Sequence, residues 1–269
     1  VDDCAREGVG AEHGLSLWIE AAGKKLLFDA GESGAFAENA QRLGIELAQA
    51  DAAVLSHGHY DHAGGMERFL ELNAGARLYL RRGAEEPHWS LSTGERRYIG
   101  LSERLLASGR LAWLDGDFEL FPGLRLFGTG PGAVLLGPDG LSRDDFRHEQ
   151  SLMIEEEGRL VLISGCSHCG IVNILRRCEE LAGRSPDLVI GGFHLAIPGT
   201  DALLHRPLHG RAFPGQAQGV NGRESPGAER RRHIGILNDK RRAVGILTAR
   251  LGFLGYFMRG FSRGSSHSP

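Results

Sequence analysis

The chain has 269 residues, 41% of them hydrophobic and 24% charged, which is ordinary for a globular protein and long enough for one large domain or two small ones. No run approaches the ~18–20 consecutive apolar residues of a membrane span, the start shows no signal-peptide pattern, and four cysteines are too few for a disulfide framework; a cytoplasmic protein is expected. The net charge of −3 is unevenly distributed: residues 200–269 hold 12 Lys and Arg against 4 Asp and Glu, whereas residues 1–199 hold 19 against 30.

In chain order, Leu15–Ile19 alternates and predicts a strand, and Lys25–Phe28 is its hairpin partner across Gly23-Lys24, ending at Asp29-Ala-Gly31. The chain begins at Val1-Asp-Asp as though in mid-element, so a first strand is expected to be missing. Ser33 predicts the N-cap of a helix to about Leu43, with Phe36, Ala37, Ala40 and Leu43 on one face. A short buried strand, Ala52–Leu55, precedes a helix over about Gly65–Leu72 and a strand at Ala76–Leu80. Residues 84–110 are less regular and rich in polar and aromatic side chains. Strands follow at Ala112–Leu114, Phe118–Leu120 and Leu124–Phe127, then a hairpin of Ser151–Ile154 with Leu160–Ile163. Ile171–Leu181 has helical spacing, and Leu188–Ile190 is a strand ending in Gly191-Gly-Phe-His194. Strands alternating with helices, with polar clusters at strand ends, predict a layered α/β domain over residues 1–197. Residues 198–269 form a basic Gly/Pro/Arg-rich segment with no sustained period, in which a glycine-weakened helix is conceivable over about Ile234–Met258.

The chemistry concentrates in Ser56-His-Gly-His-Tyr-Asp-His-Ala-Gly-Gly65. In extended chain, residues two apart point the same way, so His57 and His59 converge on one ion, while Asp61 and His62 diverge toward a second. A His-rich surface loop that binds metal adventitiously is the plainer alternative, and the buried-strand lead-in and flanking glycines count against it. Two imidazoles need a third protein ligand. His148, Cys166, His168 and His194 each stand at a strand end, where they would meet the cluster along one sheet edge. Cys166-Ser-His-Cys169 also spells a redox dithiol, but without a thioredoxin-like context.

Ser56–Gly65 resembles the H-x-H-x-D-H signature of the metallo-β-lactamase superfamily, and Leu26–Gly31 resembles the strand and Asp-x-Gly element before it. Glu12–Ser16, Phe146–Leu152, Gly165–Asn173 and Gly191–Leu195 are similar to the dihydropterin-ribofuranosyl-aminobenzene-phosphate synthase-like branch. The resemblance implies an αββα sandwich with one or two ions, usually zinc, iron or manganese being alternatives. It implies His57, His59 and His148 on the first ion and Asp61 and His62 on the second. Cys166 or His168 would stand where the superfamily has a bridging carboxylate, with His194 a further ligand or substrate contact. The branch's last His-Cys-Thr-Gly motif has no counterpart in residues 198–269.

The expected activity is hydrolysis of an ester or phosphoester in a small, possibly phosphorylated molecule, by metal-activated hydroxide that Asp61 holds and orients. Asp29 is read equally as the orienter of a ligand imidazole and as a turn residue. His88, Arg97 and Tyr98 are candidate substrate contacts; Arg96 fits a solvated loop better. The alternative is a metal-binding remnant, impaired by its altered C-terminus. A basic nucleic-acid arm ranks last, because the aromatics Phe253, Tyr256, Phe257 and Phe261 read as a failed core helix.

Overall fold

The computed structural model describes residues 8–90, 95–130, 135–136, 143–193 and 235–237. Its first sheet runs β1 (Leu17–Ala21), β2 (Lys24–Phe28), β3 (Ala52–Val54), β4 (Arg77–Arg81) and, after two strands outside it, β7 (Leu111–Leu114). The β1–β2 pair is an antiparallel hairpin and β2, β3, β4 and β7 are parallel. The two intervening strands, β5 (Trp89–Ser90) and β6 (Arg97–Tyr98), form a separate antiparallel pair. The second sheet contains β8 (Phe118–Phe121), β9 (Leu124–Phe127), β12 (Ser151–Glu156), β13 (Arg159–Ile163), β14 (Leu188–Ile190) and β15 (Gly235–Leu237), in the order β15-β14-β13-β12-β9-β8. Between β9 and β12 lies a short pair, β10 (Leu135–Leu136) with β11 (Arg143–Asp144).

Period-two side chains build the layers. Leu17, Ile19, Leu26, Phe28 and Val54 of the first sheet meet Leu124, Leu126, Leu152, Ile154, Val161 and Ile163 of the second in one buried core. The alternate residues Trp18, Leu27, Ala53, Leu78 and Leu80 face helices α1 (Ala35–Arg42), α3 (Met66–Leu72) and α4 (Glu103–Leu106) through Phe36, Ala40, Met66, Phe69 and Leu105. On the outer face of the second sheet, Leu160, Leu162, Met153 and Val189 pack on α5 (Ile171–Ala182) through Ile174 and Cys178. Helix, sheet, sheet, helix: this is the αββα sandwich, with α2 (Tyr60–Ala63) at the edge where the sheets meet.

Three local expectations change. The helix expected from Ser33 begins at Ala35, although the Ser33 hydroxyl still accepts from the Ala35 N–H at 3.2 Å. Leu43 is 48% exposed instead of buried, because the helix ends at Arg42 and Gly44, at φ +68°, turns the chain away. Asn39 is buried on that helix, exchanging hydrogen bonds with the backbone of Gly10. At Gly235–Leu237 the chain is a strand parallel to β14, where a helix was conceivable; a parallel neighbour satisfies its backbone groups. The remaining residues of that expected helix, the expected missing strand before Leu15 and the boundary at 197 lie outside the described residues. Among the described residues no helix is long and apolar enough to cross a membrane.

Candidate metal centre

The site lies at the C-terminal ends of β2, β3 and β13. Asp29 follows β2 in the left-handed region, at φ +56°, and its backbone N–H donates to Val54 of the neighbouring strand. That conformation turns a fully buried carboxylate toward the loop after β3. The Ser56 N–H donates to Asp29 Oδ1 at 2.7 Å and its hydroxyl to Oδ2 at 2.7 Å. Because the hydroxyl has one proton and a carboxylate only accepts, Ser56 Oγ must accept from His57 Nδ1, 2.9 Å away. The proton of His57 therefore sits on Nδ1 and its lone pair on Nε2. That nitrogen is buried and has no hydrogen-bond partner.

Asp29 Oδ2 also accepts from His62 Nδ1 at 2.6 Å, which presents His62 Nε2 to the Cys166 sulfur at 3.1 Å. The Asp29 carboxylate thus fixes two imidazoles of the cluster, one directly and one through Ser56. Gly165 makes room for this relay: a Cβ there would lie 2.2 Å from Ser56 Oγ. Gln150 ties the loop to the second sheet, donating its N–H to Ser56 O at 2.7 Å and its side-chain amide to Leu55 O at 2.8 Å.

The loop after β13 brings in Cys166 and His168. Ser167 stands at φ +59°, and the buried Glu149 carboxylate accepts from the N–H groups of His168 (2.8 Å) and Cys169 (2.7 Å). Burial pushes Glu149 above the usual carboxylate range, against the pull of those N–H groups. The Phe146 ring lies flat on His168, centroids 4.2 Å apart and planes 10° apart.

Three groups of donors result, each with ligand atoms within 4.8 Å of one another: His57, His59 and His168; His57, His62 and Cys166; and His59, His88, Asp144 and His148. His148 thus joins Asp144 and His88, whereas His168 joins His57 and His59. Asp61 stands beside these groups, its Oδ2 3.7 Å from His62 Nε2 and 3.5 Å from His13 Nε2. His194 lies outside the described residues. Of the candidate substrate contacts, His88 is buried, facing Asp144 at 3.1 Å and the Gly83 carbonyl at 3.2 Å. The Arg97 guanidinium covers the Tyr60 ring at 4.2 Å, and the Tyr98 hydroxyl donates to Leu101 O. Arg96 stacks on Trp89 at 3.9 Å. Sequence reading missed Asp144 and Glu149. The i, i+4 spacing of Asp144 and His148 was the one local signal for the former.

Electrostatics separate the imidazoles. Burial, reinforced by the surrounding histidines, holds His57 well below the usual imidazole range, and burial lowers His59 too. Both are neutral near pH 7, as metal ligands must be. At His62 burial opposes the charge, but the Cys166 sulfur and Asp29 outweigh it, and its pKa lies well above the ordinary value. Burial raises the Cys166 thiol. Cys166, Cys169 and Cys178 are free thiols. The donor set of imidazoles, a sulfur and nearby carboxylates fits a borderline-soft dication.

Comparison with known proteins identifies a family. The metallo-beta-lactamase superfamily's sequence model matches residues 9–172. An uncharacterized protein of Methanocaldococcus jannaschii is 30% identical over 221 residues, covering 77% of this chain and 81% of that protein. The 7,8-dihydropterin-6-methyl-4-(beta-D-ribofuranosyl)-aminobenzene-5'-phosphate synthase of the same organism is 30% identical over 220 residues, covering 69% and 71%. The crystal structure of a metal-dependent hydrolase of the beta-lactamase superfamily matches with a TM-score of 0.59 and 32% identity, covering 75% of this chain and 77% of that one. With the αββα layers, the His-x-His-x-Asp-His loop at their shared edge and these relatives, the chain belongs to the metallo-β-lactamase superfamily.

Proposed function

We propose that the chain is a metal-dependent hydrolase that cleaves an ester or phosphoester bond in a small anionic molecule. The observation that carries this reading is His57 Nε2, a buried lone pair with no hydrogen-bond partner at the point where two donor groups meet. An unsatisfied buried polar atom is costly, and a cation there removes the cost. His57 and His59, with a third imidazole from the loops of the second sheet, would hold the first ion; His62 and Cys166, with Asp61 beside them, would hold the second. Zinc suits the sulfur and imidazole donors best.

A bound dication supplies Lewis acidity and brings the pKa of a coordinated water down to about 7. The protein's part is orientation. Asp29 and Ser56 set the tautomers of His62 and His57. The Asp61 side chain, 14% exposed and 3.7 Å from His62 Nε2, would accept a proton from an attacking water and orient it. Arg97 lies over Tyr60, next in sequence to Asp61, and offers positive charge to an anionic substrate. One relative is named for making a 5'-phosphate compound, which supports a phosphate-bearing substrate but does not require hydrolysis of it.

The test is metal analysis of the full chain followed by assay, with zinc or manganese, of phosphodiester, phosphomonoester, thioester and lactone substrates. Turnover of the phosphate esters, abolished by His57→Ala, is expected. Turnover confined to lactones would exclude the phosphate substrate. Two tightly held ions without turnover of any substrate would make this chain a metal-binding relative rather than a hydrolase.

A further inference from the structure

We propose that Asp144 is a positioning carboxylate for His59, that His148 serves Asp144 and does not bind the ion, and that His168 completes the first set with His57 and His59. The proposal rests on the metal-dependent reading above and departs from the ligand set that resemblance assigns.

Hydrogen-bond accounting at His148 decides its role. The Gly58 N–H donates to His148 Nδ1 at 3.0 Å, in a buried contact. A ring nitrogen that accepts a proton donor carries a lone pair, so the proton of a neutral ring is on Nε2. That nitrogen faces Asp144 Oδ1 at 3.2 Å and Oδ2 at 3.3 Å. An imidazole that accepts at one nitrogen and donates at the other has no lone pair left for a cation.

The carboxylate is similarly occupied. Asp144 Oδ1 accepts from the Phe146 N–H at 2.8 Å, as well as from His148. Oδ2 meets His88 Nδ1 at 3.1 Å and His59 Nε2 at 3.5 Å. His88 stands between two acceptors, the Gly83 carbonyl at Nε2 and the carboxylate at Nδ1, so a neutral ring donates to only one of them. The Phe146 N–H, His148 and His59 supply three donors for the roughly four lone-pair sites of the carboxylate, and His88 faces the remaining one. His59, donating from Nε2, keeps its lone pair on Nδ1, the state a ligand needs. Asp144 thus does for His59 what Asp29 does for His62: a carboxylate on the far nitrogen fixes the tautomer and orientation of a metal-binding ring.

Ring positions agree. The His168 centroid is 4.9 Å from that of His57 and 5.2 Å from that of His59, while His148 lies at 6.2 and 5.8 Å. His168 is held by the Phe146 stack and by Glu149 at its backbone, so its loop is built to present the ring. Phe146 and Asp144 belong to one turn, which couples the carboxylate to the His168 platform.

The experiment compares zinc stoichiometry and affinity, by native mass spectrometry and chelator competition, in the full-length chain and in His148→Gln, His168→Gln and Asp144→Asn. His168→Gln should lose one ion. His148→Gln and Asp144→Asn should keep the stoichiometry, with affinity weakened about 10–100-fold. Nitrogen-15 NMR of the zinc-loaded wild type should show His148 protonated at Nε2 only and His59 protonated at Nε2; this readout needs no variant to fold. Loss of the ion from His148→Gln but not from His168→Gln, or a proton on His148 Nδ1, overturns the proposal. So does a further ion in the wild type that Asp144→Asn removes, which would make the cluster a cation site. A wild-type chain that binds no zinc defeats the hydrolase reading instead, and the spectrum of that metal-free chain still reports whether His59 and His148 direct Nε2–H at Asp144.

Discussion

Asp29 and His62 face each other at 2.6 Å, with side-chain exposures of 0% and 2%. A carboxylate this buried needs hydrogen bonds at both oxygens, and it has them from His62 and from both donors of Ser56. Replacing Asp29 with Ala leaves His62 Nδ1 and the Ser56 hydroxyl without their acceptor. Breaking a buried pair from one side costs about 3–5 kcal/mol. Asp29→Ala is expected to lower the melting temperature markedly, and Asp29→Asn to weaken metal binding about 10–100-fold with a smaller loss of stability. Unchanged zinc affinity in Asp29→Asn would show that the carboxylate is a turn residue only.

The two donor groups that share His57 should respond differently to pH. His57 and His59 are held below the usual imidazole range, so they bind a cation above about pH 6.5 without releasing a proton. His62 and Cys166 both lie above their ordinary values, so a cation facing them displaces protons. Affinity at that second position is expected to rise with pH through neutrality and beyond, while affinity at the first stays flat. Calorimetric titration in buffers of different ionisation enthalpy measures the protons released. Equal release at both positions would contradict the assignment.

Removing the metal should also change how stability depends on pH. A histidine with a depressed folded pKa, as at His57 and His59, favours folding above the unfolded value near 6.5 and loses that contribution as pH falls below it. His62 has the opposite sign: its contribution is complete below about 6.5 and disappears as pH rises through its elevated folded pKa. The metal-free chain is therefore expected to lose stability on both sides of neutrality, and zinc to restore most on the alkaline side. Thermal melts with and without chelator, from pH 5 to 9, measure this. An identical melting profile in both states would mean that zinc does not bind the folded site.

Much of this was legible in the sequence, for physical reasons that differ by element. Alternation in Leu15–Ile19 and helical spacing in Ile171–Leu181 are local patterns imposed by one buried face; the helix stands at Ile171–Ala182, and the strand at Leu17–Ala21, two residues later than its pattern suggested. The His57–His62 loop was legible because its donors are consecutive. Partners distant in sequence were not. His168 falls nearer His57 than His148 does because Glu149 and Phe146 shape the loop after β13, and no spacing rule contains that contact. Asp144 lies four residues before His148, but its three imidazole partners come from three separate loops.

Gly165 offers a sharper test of the relay than any donor residue does, because it has no donor atom in its side chain and packs chiefly against Ser56. A Cβ at this position would lie 2.2 Å from Ser56 Oγ, 2.7 Å from its Cβ and 3.3 Å from His57 Nδ1. Ser56 is fully buried and anchored at both its N–H and its hydroxyl, so it has no space to withdraw. Gly165→Ala is therefore expected to cost about 1–3 kcal/mol of stability by overpacking. It should also break the Ser56–His57 contact and with it the preference for a lone pair at His57 Nε2. Ser56→Ala separates these effects, since it removes the hydroxyl without adding volume. Zinc affinity should fall in both variants, by about 10–100-fold for Ser56→Ala, as expected when a ligand loses the partner that orients it. Stability measured by urea titration should fall more in Gly165→Ala. If Ser56→Ala binds zinc as the wild type does, the hydroxyl does not set the tautomer of His57, and the orienting role of Asp29 extends to His62 alone.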